Sequence, residues 1–297
     1  MTTAITTTRG LPEVARRPRT ANLLRFARRK PVGAISLAII LVMVFLAAFA
    51  EVMAPFDPLA QDYDSIMQPP SALHVFGTDN LGRDLLSRII HGSRISLQIG
   101  ISAMVISTGF GAVIALISGF AGGKLDLLVQ RIMDAWMAFP LIIFALTVLA
   151  ALGPGLTQTI IAVGVVGIPS TSRVIRGSVL AEKQNMYVEA ARALGASQFR
   201  QMFMHVLPNV AAPILVIATL RLAQAILTEA SLSFLGLGVP PPAPAWGSML
   251  SGHSRTYMLA APWMAVWPGV AISLAVLSWN LLGDALRDLW DPRQKGT

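Results

Sequence analysis

Chemistry at a protein site needs nucleophiles, paired acids and bases, metal ligands or a phosphate cradle, and this chain offers few of them. It has no cysteine, which excludes a disulfide framework, a thiolate zinc site and a cysteine nucleophile. Its histidines, His74, His91, His205 and His253, are scattered and lack the HExxH spacing that sets two imidazoles on one helix face. No Ser/His/Asp constellation stands out. The nearest approach to a phosphate-binding P-loop runs from Ser118 to Leu125 around Gly123-Lys124. A P-loop needs Gly at its first position and Ser or Thr after the Lys, because backbone N–H groups cradle phosphate while the hydroxyl binds Mg2+. Ser118 and Leu125 occupy those positions, so the chain is not expected to hydrolyse nucleotide.

The remaining chemistry lies in polar residues set within apolar sequence. Arg221, Gln224, Thr228 and Ser231 recur at i, i+3, i+7 and i+10 and share one helix face, with Glu229 on its flank. Ser273, Asn280 and Asp284 share a face of a later segment. A charge inside a bilayer is costly and must face protein interior or water. Arg221, Gln224, Thr228, Glu229 and Asn280 are therefore candidates for lining a pathway that solvates a charged, hydrogen-bonding solute. The other reading of the same faces is helix–helix glue and subunit pairing. Asp284 is placed to pair with Arg287, and Asp134 with Arg131.

The elements that must position these residues follow from composition. Of 297 residues, 54% are hydrophobic and 13% charged, against about 25% charged in soluble domains. So few charges cannot cover a water-facing surface, which excludes an ordinary soluble enzyme and a disordered chain. Six apolar stretches can be marked, at about Val32–Ala54, Ile95–Phe120, Leu127–Leu152, Leu156–Val174, Ala211–Leu235 and Pro262–Leu282. Each is close to the roughly 20 residues an α-helix needs to span a bilayer; β-barrel strands would be half as long and alternating. With the N-terminus inside, 18 Lys and Arg fall in inside segments and 4 in outside segments, with Arg221 inside the fifth span. The net charge of +8 is thus a topological signal, and nucleic-acid binding is the poorer reading. The basic leader, apolar run and Ala48-Phe49-Ala50 have the outline of a cleavable signal peptide. The leader of about 31 residues and the length of the run favour a retained span.

Two connections carry information. The outside loop, residues 55–94, ends in GTDNLGRDLLSRIIHGSRISL, Gly77 to Leu97. Thr78 or Asp79 can cap a helix there, Leu81, Leu85 and Ile89 form an apolar stripe, and Asp84 and Arg88 can pair at i, i+4. This predicts a short amphipathic helix on the outer surface; a plain solvated loop is the alternative. The inside segment, residues 177–209, holds a stripe of Tyr187, Ala191 and Leu194, then Gly195, which permits a turn, then Phe199, Met202, Phe203, Val206 and Leu207 at helical spacing. Two short helices at an angle predict either a rigid docking element for a partner or an ordinary connector. Trp246, Trp263 and Trp267 fit an interfacial aromatic belt, Pro240-Pro241-Pro242 a stiff outer turn, and Gly119 and Gly123 have GxxxG spacing at a membrane edge.

Glu189-Ala190-Ala191, three residues, Gly195, nine residues, His205, one residue and Leu207-Pro208 resemble the EAA signature of ABC importer permeases. His205 stands where the general pattern has an aliphatic residue, as in the peptide-transporter branch. Gly77-Thr78-Asp79, Gly82-Arg83-Asp84 and the run from Leu232 to Leu250 also resemble that branch. The resemblance, from about Val32 to Asp291, is to the C-type permease of dipeptide/oligopeptide ABC importers. It implies an all-α, six-span type I ABC importer permease fold in a bacterial or archaeal cytoplasmic membrane, with both termini cytoplasmic. It implies pairing with a homologous B-type permease, docking of two ATP-binding cassette ATPases on the EAA segment, and an extracytoplasmic peptide-binding protein. The membrane lipid surrounds the spans and no nucleic acid is involved. ATP and Mg2+ would bind the ATPases and no cofactor would bind this chain. The implied coupling residues are Tyr187, Glu189, Ala190, Ala191, Leu194, Gly195, Phe199, His205, Leu207 and Pro208. The implied layout is a basic tail (1–31), first span (32–54), outer loop (55–94), permease core (95–286) and second tail (287–297). Nickel complexes and glutathione are alternative cargoes. A self-sufficient secondary transporter would want inverted repeats and ion sites at broken helices; Pro140 and Pro169 could break helices, but no repeat is visible.

Overall fold

The computed structural model describes residues 30–252 and 256–290; residues 1–29 of the basic tail, residues 253–255, which include His253 and Arg255, and residues 291–297 lie outside it. The described residues form helices only, apart from one isolated bridge, Thr78 to Asp84. In chain order the helices are α1 (Pro31–Ala48), α2 (Leu85–Ala121), α3 (Gly123–Met137), α4 (Leu141–Leu152) and α5 (Leu156–Lys183). Then come α6 (Met186–Ala193), α7 (Gln198–Phe234), α8 (Trp246–Met249) and α9 (Trp263–Trp290). Helices α1, α2, α5, α7 and α9 are each long and apolar enough to cross a membrane. The third span foreseen at Leu127–Leu152 is not straight: α3 and α4 meet at 88°, and the pair makes a sixth crossing only if the bent unit is counted as one. Pro140 causes the break, because it lacks the N–H that would continue α3 and forces the preceding residue from helical angles.

Helices α2 and α5 pack most extensively, and their glycines set the distance. A Cβ at Gly111 would lie 3.0 Å from Thr171, one at Gly164 2.8 Å from Ile106, and one at Gly167 2.8 Å from Ser107. Small residues let backbones approach in lipid, where apolar burial alone gives helices little reason to associate. Gly119 belongs to this same seam, against Val179, rather than to a dimer face. Helix α7 then lies on α2, α5 and α9, and α1 closes over α2 and α9. A core of Met43, Leu97, Leu222, Ile226, Trp246 and Ile272 joins α1, α2, α7, α8 and α9.

The outer loop corrects three expectations. No separate surface helix forms: the stripe from Leu85 onward is the first turn of the 37-residue α2. Its cap is Asp84, not Thr78 or Asp79; Asp84 Oδ2 accepts from the Ser87 N–H at 2.8 Å and from the Ser87 hydroxyl at 2.8 Å. Asp84 does not pair with Arg88, because its other oxygen lies 2.9 Å from Nδ1 of the buried His74. Arg88 instead donates to the Pro58 carbonyl at 2.9 Å and lies 3.6 Å from Asp79, while Asp79 accepts from Arg83 Nε at 2.7 Å. Thr78 accepts from the Gln68 N–H at 2.8 Å and donates to the Ser65 carbonyl. Asp62 is held below the usual carboxylate range by hydrogen bonds from the Ser65 hydroxyl and the Asp64 N–H. The GTDNLGRD run therefore folds the loop upon itself. The tryptophans tie it down: Trp263 Nε1 donates to the Thr78 carbonyl at 3.1 Å, and Trp267 stacks on Phe76 with centroids 4.1 Å apart. Trp246 is no belt residue; it is buried, with Nε1 donating to the Ile89 carbonyl at 3.0 Å.

Gly82 has φ +72°, and a Cβ there would fall 1.7 Å from the Asp62 carbonyl oxygen. Gly82→Ala should cost about 2 kcal/mol or more in backbone strain and clash. It should lower the thermal midpoint of the detergent-solubilised protein, whereas Gly109→Ala, with nothing within 4 Å of its added Cβ, should not. Equal midpoints for the two variants would refute this account of the loop.

Candidate functional site

The segment between α5 and the body of α7 protrudes on a buried footing. Val188 of α6 and Val206 and Val210 of α7 pack with Leu116, Phe120, Ile175 and Val179 at the ends of α2 and α5. Lys183 strengthens this footing by donating to the Phe120 carbonyl, one of the orphan acceptors at the end of α2, with its ammonium 5.0 Å from the Phe120 ring centroid. Two ion pairs fasten α3 alongside α5: Arg176 donates through Nε to Asp126 at 2.6 Å and through a second nitrogen to the other oxygen, and Arg173 pairs with Asp134. Arg131 also approaches Asp134, at 3.9 Å, as its spacing suggests.

The turn at Gly195 is the one foreseen. Its φ is +83°. The Gly195 N–H donates to the Arg192 carbonyl at 3.0 Å and the Ala196 N–H to the Ala191 carbonyl at 3.0 Å, the paired bonds of a Schellman helix end. No atom lies within 4 Å of a Cβ built there, so backbone angle and not space demands glycine. Ser197 then caps α7 by accepting from the Arg200 N–H at 3.3 Å.

The faces differ from the foreseen stripes. In α6 the buried residue is Val188, with Ala191 half-buried, while Tyr187 is largely exposed and Leu194 is 89% exposed. In α7 residues Gln201–Val206 wind as a π-helix, whose extra residue per turn rotates the face. Val206 is buried and Met202 and Leu207 are half-buried, but Phe199 and Phe203 face outward with ring centroids 4.4 Å apart. The expected second short helix is also not separate; it continues into the span through Leu207 and Pro208. Pro208 has no N–H to return to the previous turn. The His205 carbonyl is served by the Asn209 amide at 2.7 Å and the Tyr187 hydroxyl at 3.2 Å. The single Tyr187 hydroxyl proton is shared between that carbonyl and the closer Glu182, and burial followed by the Glu182 bond keeps its phenol above the ordinary range. Glu189 and Ala190 are exposed on α6, and Glu189 makes no ion pair with any described residue. The result is a stiff elbow with Leu194, Phe199 and Met204 as an exposed apolar tip. Exposed apolar surface of this kind marks contact with another molecule.

The second candidate face also holds together. Arg221, Gln224 and Thr228 line one cavity with Ser107 of α2, Leu141 of α4 and Gly167 of α5. Gln224, Thr228 and Ser231 line an adjoining cleft of about 360 Å³ whose far wall is Pro140, Leu141 and Ile142. Two residues leave this group. Glu229 is fully buried away from the cleft and accepts from the Ser233 hydroxyl at 2.7 Å. Asn280 sits half-buried on α9 and lines neither cavity. Near the end of α9, Asp288 and not Asp284 is ion-paired, to Lys30 at 2.6 Å. The α3–α4 bend was missed as a cleft wall; Pro140 was its only sequence signal. Lys183 and Arg94, which donates to the Ala47 carbonyl at 3.0 Å, cap helices far away in sequence and left no local signal.

A helical bundle with an elbow between two spans defines a class, and the sequence comparisons agree on it. The chain belongs to the family described as the binding-protein-dependent transport system inner membrane component, which matches residues 111–296. Residues 22–70 match the N-terminal TM domain of oligopeptide transport permease C. The protein is thus a multi-pass inner-membrane component of an ABC transporter. The chain is 46% identical over 277 residues to the di/tripeptide transport system permease protein DppC of Pseudomonas aeruginosa, covering 91% of this chain and 90% of that protein. It is 41% identical over 268 residues to the dipeptide transport system permease protein DppC of Alkalihalophilus pseudofirmus, covering 90% and 88%. It is 41% identical over 272 residues to the glutathione transport system permease protein GsiD of Pectobacterium atrosepticum, covering 91% and 90%.

Gly195→Val places a branched side chain at a left-handed φ, which costs about 1–2 kcal/mol. Hydrogen exchange at the Gly195 and Ala196 amides should accelerate roughly tenfold while amides in the α2–α5 seam keep their protection. Unchanged exchange at the elbow would show that it does not depend on this turn.

Proposed function

We propose that this chain is one of two permease subunits of an ATP-driven peptide importer, with its elbow on the cytoplasmic side. The observation that carries this reading is the exposed apolar tip on a Schellman-bent elbow, matched in sequence to the EAA signature. A homologous permease completes the pathway, and two cytoplasmic ATPases dock on the elbows of the two permeases. An extracytoplasmic binding protein delivers peptide to the face formed by the outer loop. ATP and Mg2+ bind the ATPases. Charge distribution supports the orientation, since on a six-span reading of the sequence 18 Lys and Arg fall in segments assigned to the inside and 4 in segments assigned to the outside. Glutathione is the second reading, favoured by relatives of that name; it shares the peptide bond and free carboxylates of the first.

The chain lacks cysteine, so single Cys substitutions report sidedness directly. Glu189→Cys should react with an impermeant thiol reagent only after the membrane is opened, and Ser71→Cys should react in intact cells; the reverse pattern defeats the orientation. Leu194→Asp and Glu189→Lys should lower co-purification of the ATPases and reduce ATP-dependent peptide uptake at least tenfold, without lowering the amount of permease in the membrane. Wild-type uptake by both variants would remove the elbow from coupling.

A further inference from the structure

The donor and acceptor pattern of the Arg221 cleft points to the chemistry it takes. Arg221 is half-buried on α7 and forms no ion pair or hydrogen bond with any described residue. No carboxylate is among the residues that line its cavity, and Asp134 and Asp126 are paired with Arg173 and Arg176. An unneutralised arginine within a span is costly unless it meets water or an anion. The hydroxyls around it have spent their protons on backbone: Ser107 donates to Met104 at 3.1 Å, Thr228 to Gln224 at 2.8 Å and Ser231 to Leu227 at 2.9 Å. They face the cleft as acceptors only. The donors left are the Arg221 guanidinium and the Gln224 amide. Along α7 the donors, Arg221 and Gln224, precede the acceptor hydroxyls of Thr228 and Ser231, while Ser107 adds one acceptor beside Arg221.

Size agrees with this polarity. The cavity at Arg221 is small, about 20 Å³, enough for one water-sized group such as a carboxylate oxygen. It adjoins the cleft of about 360 Å³ through shared Leu141, Gln224 and Thr228, within the range of small-ligand sites. Seven residues of helix separate Arg221 from Thr228, or about 10 Å. An extended chain of two to three residues covers about 7–11 Å.

We infer that Arg221 is a specificity-determining residue: its guanidinium receives the free C-terminal carboxylate of a di- or tripeptide in transit, while the hydroxyl end of the cleft faces the peptide's ammonium. A planar fork and a carboxylate form two parallel charge-assisted bonds, which neither a lysine nor a neutral amide reproduces fully. This rests on the peptide-importer reading above.

The test uses the assembled transporter in proteoliposomes, with binding protein, both permeases and both ATPases. Uptake of a labelled dipeptide is compared with its C-terminal amide, each at saturating loading of the binding protein, so that capture by that protein does not set the rate. The wild-type complex should move the free acid at least tenfold faster than the amide. Arg221→Gln should bring that ratio close to one by slowing the acid, and Arg221→Lys should keep part of the preference. A wild-type complex that moves peptide with no acid preference would overturn the inference, whether or not any variant assembles. So would equal loss of both forms in Arg221→Gln with loss of the partner permease from the complex, which would make Arg221 a subunit contact. A wild-type complex that moves neither peptide in an ATP-dependent way would instead defeat the peptide-importer reading itself.

Discussion

The close approach of α2 and α5 is the constraint on which the other elements depend. A chain this apolar gains little from burying one helix against another in lipid, since lipid tails are as apolar as leucine. What remains is packing and polar contact, and both concentrate along this seam. Gly111, Gly164 and Gly167 bring the backbones together where a methyl group would collide with Thr171, Ile106 or Ser107. At the elbow end Lys183 caps α2 from α5, and Arg176 and Arg173 draw α3 against α5. Close packing joins α2 to α5 and the ion pairs tie α3 to the same α5, so α5 is held in position and in register from two sides.

The seam explains why the two candidate sites lie where they do. At one end it ends in the cluster of Phe120, Val179, Val188 and Val206, the footing of the elbow. Part-way along, Ser107 and Gly167 form one wall of the Arg221 cavity. Helix α4 forms the opposite wall because Pro140 breaks the α3–α4 unit and turns it through 88°. A straight third span would run past α7 and leave Arg221 against a flat helix face. The cleft is therefore the product of one proline and of the ion pairs that keep α3 in place while α4 departs from it. The outer loop stands apart from this logic. It holds itself together through His74, Thr78, Asp79 and Asp84 and is anchored to α9 by Trp263 and Trp267.

Features set by local backbone or by bulk apolarity could be read from sequence. The straight spans α1, α5 and α9, the turn at Gly195 and the shared face of Arg221, Gln224 and Thr228 needed only hydropathy, a glycine and helical spacing. Other features depend on partners distant in the chain. Asp84 was free to bond Arg88 four residues on, but His74 and Ser87 take both of its oxygens once the loop folds, and Arg88 turns to the Pro58 carbonyl. Trp246 has the amphipathic character of an interfacial residue, yet Ile89 and Ser96 supply its hydrogen bonds inside the core. The π-turn at Gln201–Val206 shifted the stripe of α7, and a count at 3.6 residues per turn could not anticipate it. Glu229, already on the flank of the Arg221 face by periodicity, turns away from the cleft to Ser233.

Helix α7 joins the elbow to the cleft without an intermediary. Phe199 and Arg221 lie on one continuous helix, about 33 Å apart at 1.5 Å per residue. A helix passes displacement along its axis as long as its backbone bonds hold, and α7 has two places where they are weakened. One is the π-turn before Pro208, and the other is Pro213, which lacks an N–H inside the helix. Pro213 is about 12 Å below Arg221, so a bend of about 10° there shifts Arg221 by about 2 Å. The wall opposite is α4, and α3 is locked to α5 rather than to α7. On the proposed function and the role inferred for Arg221, force from the ATPases would reach the cleft along α7 through the π-turn and Pro213, so that one helix would link the elbow to the grip on cargo.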